Sequence, residues 1–288
     1  MSVNPRSALW VPLFDDLADP LVVARLAAEA EETGWDGFFV WDRLTWPAPV
    51  ERVADPWISL AAAATATCSL RLGPMVTPVA RRRPAKLARE TASLDRLSGG
   101  RLTLGVGLGG DLYGAEFART GERADDRGRA RMLDEALEVL TSAWSGRPVR
   151  HRGPHYVVDD LTFLPTPVQR PRVPIWAGGY AGRRGPLRRA AGLDGFFPVE
   201  LRHPEQLAEI GETIRGLRPD PAAPYDIAVP LRPGADPAAY VAAGATWCLT
   251  EFEPEETALD HVRGVLRDGP ALPAPREATV SAGGARRD

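Results

Sequence analysis

The chain has 288 residues, 44% of them hydrophobic and 25% charged, which is ordinary globular usage and enough length to bury a large core. Lysine and arginine total 35 against 38 aspartate and glutamate, a formal charge of −3, and no run of one sign makes the basic stripe that a nucleic-acid partner requires. Cys68 and Cys248 stand outside any CxxC or Cys/His spacing, so neither a disulfide framework nor a structural zinc is expected, and a reducing cytoplasm fits. The opening MSVNPRSALWVPLF lacks the charged-then-apolar order of a signal peptide, and no window reaches the roughly 18 apolar residues of a membrane span, so a protein neither exported nor embedded is expected.

From the N-terminus, short apolar runs alternate with longer stretches of helical period. Strand 8–14 precedes helix 20–33, strand 37–41 precedes helix 56–66, strand 70–76 precedes helix 84–97, and strand 101–107 precedes helix 127–144. Strand 173–178 then precedes helix 183–191, 195–199 precedes 204–217, 225–231 precedes 237–243, and 246–252 precedes 255–267. Most strand runs are continuously apolar, as strands covered on both faces are. Pro20, Pro56, Pro84, Pro204 and Pro237 stand near helix starts, where a missing N–H is harmless. Gly34, Gly146, Gly192 and Gly244 follow helix ends, the usual place for positive φ. Parallel neighbours need a helix to bring the chain back, so eight such pairs predict an α/β fold closed as a (β/α)8 TIM barrel, one domain over 1–268. Two segments lie outside the beat. Residues 147–168, with the alternation His155-Tyr156-Val157-Val158 and with Pro165 and Pro167, read as a β-hairpin-like insertion before the fifth strand. Residues 269–288 are rich in Pro, Ala and Gly without an apolar period and read as a disordered tail.

The interior of such a barrel is packed, so a site must be assembled from the loops at the C-terminal strand ends. Those positions hold Phe14 and Asp15, Asp42 and Arg43 with Trp46, the stretch 75–83, the stretch 105–111, the stretch 178–184, and Glu251. Gly105, Gly107 and Gly110 have the G-x-G-x-x-G spacing of a dinucleotide turn, but no apolar-periodic helix follows at once and three strand–helix units come before it. Gly178 and Gly179 precede Arg183, Arg184, Arg188 and Arg189, a combination that can hold a phosphate or be a glycine turn before a solvated helix face. Arg81, Arg82 and Arg83 read by default as a solvated loop. Asp42 can accept a hydrogen bond from a ring or substrate, or cap its loop. His151, His155, His203 and His261 have no metal spacing, so no metal is expected.

GWDGFFVWDRL, the block running from DPWISLAAAATATC through LRLGPMVTPVARRRPAKLARETASLDRLSGGRLTLGVGLGG, PVQRPRVPIWAGG and AGATWCLTEF together resemble the luciferase-like monooxygenase superfamily, over nearly the whole chain. The resemblance implies an oxidoreductase on a TIM-like barrel, using FMN for oxygenation or the deazaflavin coenzyme F420 for hydride transfer on a small organic substrate. A flavin or deazaflavin reductase as partner and a homodimer come with it. It implies a non-prolyl cis bond at Met75–Val76, Thr77 facing the ring, Gly107 and Gly109 allowing close approach, and Ala177, Gly178 and Gly179 along the phosphate-bearing tail. Asp42 matches the family's acid of the second strand, and Asp42, Trp46 and Asp111 are the candidate catalytic residues. Two departures stand out. Where many members read Asp-His, this chain has Asp42-Arg43, and an arginine cannot transfer protons as histidine does. Where sugar-phosphate dehydrogenases of the family carry a glutamate, this chain has Gly110 beside Asp111. Two other functions compete: a cofactor-binding subunit with reduced catalysis, and a hydrolase or lyase that uses Asp42 and Asp111 as its acid/base pair.

Overall fold

All eight apolar runs become parallel staves of one wall. The structure, a computed structural model, describes residues 4–123, 125–255 and 257–272; most of the expected tail lies outside the described residues. In chain order the elements are β1 (Arg6–Val11), α1 (Pro20–Glu32), β2 (Gly37–Val40), α2 (Pro56–Ala66), β3 (Arg71–Pro74), β4 (Thr77–Pro78) and α3 (Pro84–Leu97). They continue with β5 (Leu104–Gly107), α4 (Glu116–Arg119), α5 (Asp126–Trp144), β6 (Val149–Arg152), β7 (Val157–Leu161) and β8 (Ile175–Tyr180). The last are α6 (Arg184–Ala191), β9 (Gly195–Val199), α7 (Pro204–Leu217), β10 (Asp226–Leu231), α8 (Ala238–Ala242), β11 (Trp247–Glu251) and α9 (Leu259–Asp268). Among the described residues no helix is long and apolar enough to cross a membrane.

The strands pair in the order β3-β2-β1-β11-β10-β9-β8-β5-β4, all parallel. The two ends of that order, β3 and β4, are halves of one stave interrupted at the cis Met75–Val76 bond. A bridge between Leu72 and Leu102 draws β3 to the β5 side, so the wall is a nearly closed (β/α)8 barrel. That seam needs Gly73: a Cβ there would lie 1.9 Å from the Thr103 carbonyl oxygen.

Local chemistry explains most boundaries. Asp19, Asp55 and Asp125 cap α1, α2 and α5 through their carboxylates, and proline follows the first two at the first helical position. β1 ends at Val11 rather than at 14 because Pro12 has no N–H to give the ladder. Gly34, Gly146 and Gly244 take positive φ after their helices, whereas Gly192 has φ −90° and needs no glycine on that ground. The excursion at 147–168 contains an antiparallel hairpin, β6 with β7. Helix α9 begins at Leu259, four residues beyond the expected 255, and α4 lies in a loop without helical period.

Strand alternation divides the apolar residues into two layers. Ala8, Trp10, Phe39, Met75, Trp176, Phe197, Ala228, Trp247 and Leu249 fill the barrel, while a larger cluster including Leu9, Val40, Leu72, Leu104 and Ile175 packs between wall and helices. The barrel floor is aromatic: the Phe39 ring lies 5.5 Å from Trp176 and 5.8 Å from Trp247. Gly37 and Gly195 make room for these rings, since a Cβ would come within 2.9 Å of Trp247 or 2.4 Å of Trp176. With the bore plugged at this level, the barrel opens to a ligand at its C-terminal mouth.

Candidate active site

At the mouth, Trp41 and Asp42 follow the end of β2, and each residue meets a different environment. Asp42 is buried and is bound by three donors from the stave that follows. Arg81 Nη2 donates to its Oδ1 at 2.7 Å, Arg82 donates to its Oδ2 through Nε at 3.1 Å and Nη2 at 2.6 Å, and the Thr77 hydroxyl donates to the same oxygen. Arg82 Nε also reaches Thr77 Oγ1 at 2.9 Å. Arg81 bridges onward to Glu116 of α4, whose other oxygen accepts from the Leu44 and Thr45 backbone N–H groups at 2.7 and 3.3 Å. Two acids and two guanidiniums thus tie the loop after β2 to the segment after β4 and to α4. Such a network holds geometry where each charge keeps its partners.

Beside it stands an aromatic wall. Trp10 lies 5.0 Å from Trp41 and 4.9 Å from Phe197, Phe14 is 5.9 Å from Trp41 and 5.5 Å from Trp46, and Trp46 stacks on Tyr113 at 4.6 Å. Arg43 covers this wall, its guanidinium 4.6 Å over Trp46 and 3.9 Å from Glu116. Burial pulls the Arg43 pKa below its ordinary value and Glu116 opposes that pull; the group remains a cation and no proton shuttle.

The third stave turns inward between β3 and β4. Trp10 Nε1 donates to the Met75 carbonyl at 2.6 Å, and the Val76 side chain sits between Gly107 and Gly178, where a Cβ would lie 2.5 and 2.8 Å from its methyl groups. Those two glycines are therefore spaces for Val76. Gly109, with φ +66°, leaves the same kind of space for Phe117 and Pro78.

Asp42, Trp46, Met75, Val76, Thr77, Gly107 and Gly178 come together at the mouth. Others of the expected set do not. Asp111 accepts from the Phe117 and Ala118 N–H groups at 2.7 and 3.1 Å and serves the start of α4. Ala177 and Gly179 face the helix layer, against Leu187 and Pro186, because successive strand residues alternate sides; of the three only Gly178 faces the barrel. The hydroxyl of Thr77 is spent on Asp42. Asp42 is taken up by Arg81, Arg82 and Thr77, and Asp111 by two backbone N–H groups of α4, so each of these acids already has donors of its own. Arg81 and Arg82, expected as a solvated loop, have side chains only 5% and 17% exposed. Glu116 escaped sequence reasoning because it lies in an aperiodic loop. Trp10 and Trp41 escaped it too, although both continue the interior positions of Ala8 and Phe39 at a spacing of two.

An α/β barrel with an aromatic, glycine-relieved mouth offers a concave and largely apolar site. The family model described as luciferase-like monooxygenase matches residues 18–269, and the chain belongs to that family. It is 34% identical over 171 residues to an F420-dependent hydroxymycolic acid dehydrogenase of Mycobacterium tuberculosis, covering 56% of this chain and 47% of that one. An F420-dependent glucose-6-phosphate dehydrogenase of Kineococcus radiotolerans is 34% identical over 182 residues, covering 58% of this chain and 51% of that one. The chain spans about half the length of these curated relatives. Among solved structures, an F420-dependent secondary alcohol dehydrogenase in complex with an F420-acetone adduct superposes with TM-score 0.69 at 22% identity, covering 93% of this chain and 85% of that one. A monooxygenase from Streptomyces bottropensis superposes with TM-score 0.67, also at 22% identity, covering 92% and 80%. At such identities the superpositions establish the fold.

Proposed function

We propose that this chain is an oxidoreductase that uses the deazaflavin coenzyme F420 to move a hydride to or from a small organic substrate at the barrel mouth. The observation that carries it is the inward turn of the third stave, with Val76 wedged between Gly107 and Gly178 and the Met75 carbonyl held by Trp10 of β1. It offers a flat ring an apolar backing, and Trp10, Trp41 and Phe197 keep water from its surroundings. At the rim, Gly110, Gly182 and Gly185 leave open space, and Arg183 and Arg184 stand at the start of α6. Guanidiniums and free N–H groups there suit a phosphate-bearing tail. These residues fit the coenzyme, which supplies the hydride chemistry when bound. The chain supplies orientation: Asp42, locked by Arg81 and Arg82, fixes the segment that backs the ring. The F420-dependent relatives support the deazaflavin over FMN.

A paired titration of the protein with FMN, reduced FMN, F420 and reduced F420, followed by calorimetry and absorbance, tests this. Tighter binding of F420 is expected. Preference for reduced FMN with oxygen uptake would replace hydride transfer by oxygenation, and binding of none of the four would sink the cofactor assignment. Gly107→Ala gives a sharper check. Its Cβ would lie 2.5 Å from a Val76 methyl that Gly178 hems in from the other side, so Val76 must move off its seat. F420 affinity should fall about 10-fold, equal to about 1.4 kcal/mol; unchanged affinity would show that Val76 does not back the ring.

A further inference from the structure

Along β11 the side chains alternate between the two faces of the wall. Trp247 and Leu249 belong to the interior cluster and Cys248 to the outer one. Glu251, the last residue of the strand, continues the interior series and faces the mouth. Its register partner on β1 is Trp10. Glu251 is half-buried and accepts no hydrogen bond from any described residue. The charge acting on it is Arg232, at the end of β10, whose guanidinium is paired with Glu253. Trp10, on the neighbouring strand, brings no titratable group.

Three other acids of the mouth are saturated. Asp42 is held by two guanidiniums, Glu116 by Arg81 and two backbone N–H groups, and Asp111 by two backbone N–H groups. The oxygens of these carboxylates are already taken up by donors of the protein itself. Burial pushes the Glu251 carboxyl above the usual carboxylate range, with Arg232 pulling it partly back.

We infer that Glu251 is the general acid and base of this site, exchanging a proton with a substrate heteroatom while hydride is exchanged at the neighbouring carbon. The inference rests on the hydride-transfer function proposed above. Where the hydride carbon bears oxygen or nitrogen, that heteroatom exchanges the proton, so the substrates argued for are a carbonyl and its alcohol or an imine and its amine. In the reducing direction the bound coenzyme would supply hydride to the carbon, and the π pair of the C=O or C=N bond would move to the heteroatom. That atom takes the proton from Glu251, which is left as a carboxylate and is reprotonated from water at the open mouth. Oxidation runs the same steps backward.

The test compares wild type with Glu251→Gln, which keeps size and shape. Infrared spectra of the ligand-free protein across pH 4–8, a range spanning roughly the ordinary and raised carboxyl values, should show a protonated-carboxyl band in wild type that the variant lacks. A wild-type spectrum without that band above the usual carboxylate range overturns the proposal. F420 affinity of the variant, by fluorescence titration, should stay within about 2-fold, since Glu251 is not part of the ring's backing. With acetone as the kinetic probe, single-turnover oxidation of reduced F420 should fall at least about 100-fold. Equal rates would overturn the proposal; where acetone is not turned over, the infrared result decides. Failure of F420 to bind wild type would refute the hydride-transfer proposal while leaving the infrared result intact.

Discussion

Asp42→Ala should lower the stability of the protein by about 3–5 kcal/mol, seen as a fall in the urea midpoint at unchanged slope. The Asp42 side chain is 1% exposed, and its partners Arg81 and Arg82 are only 5% and 17% exposed. Removing the carboxylate leaves two guanidiniums side by side, with Glu116 able to neutralise only the first through its existing contact. Uncompensated buried charge is costly because water cannot replace the lost partner, and salt screens such a site weakly. Asp42→Asn keeps the shape and some acceptor capacity and should fall between wild type and alanine. F420 binding should weaken along with stability, because the same contacts hold Thr77 and the segment beginning at Val76. A loss below about 1 kcal/mol would mean that both arginines swing out to water, as exposed ion pairs allow.

Trp176→Ala should cost about 3–5 kcal/mol for a different reason. The Trp176 ring is 1% exposed and lies 5.5 Å from Phe39 and 5.7 Å from Trp247, in the bore. Its place was cleared by Gly195, where a Cβ would be 2.4 Å away. The surrounding wall is a hydrogen-bonded strand ladder that cannot collapse into the space, so most of the cavity remains. The floor lies below the mouth, so F420 affinity should change far less than stability. The two substitutions thus share a stability loss and part in cofactor binding. If Trp176→Ala abolished binding at constant stability, the floor would be part of the site rather than its foundation.

The stave-and-helix alternation was legible because each signal is local. Pro20, Pro56 and Pro84 start helices by their fixed φ, Asp19 and Asp55 cap by their own carboxylates, and continuous apolar runs such as 37–40 demand cover on both faces. Such effects act within a few residues, so the chain alone determines that eight parallel strands alternate with helices, that a hairpin interrupts the beat at 147–168, and which strand ends meet at a mouth. The partners of a charge are another matter. Arg81 and Arg82 look like a solvated run, yet Asp42 and Glu116, each at least 34 positions away, bury them. Ala177 and Gly178 are adjacent in sequence and face opposite layers, a choice made by the register of β8 between β5 and β9. Glu251 accepts no hydrogen bond from a described residue while Asp42 is held by two arginines, because β11 ends beside Trp10 and β2 ends beside Arg81 and Arg82. Burial and ion pairing depend on what closure brings within a few ångströms, and only the closed barrel sets those distances.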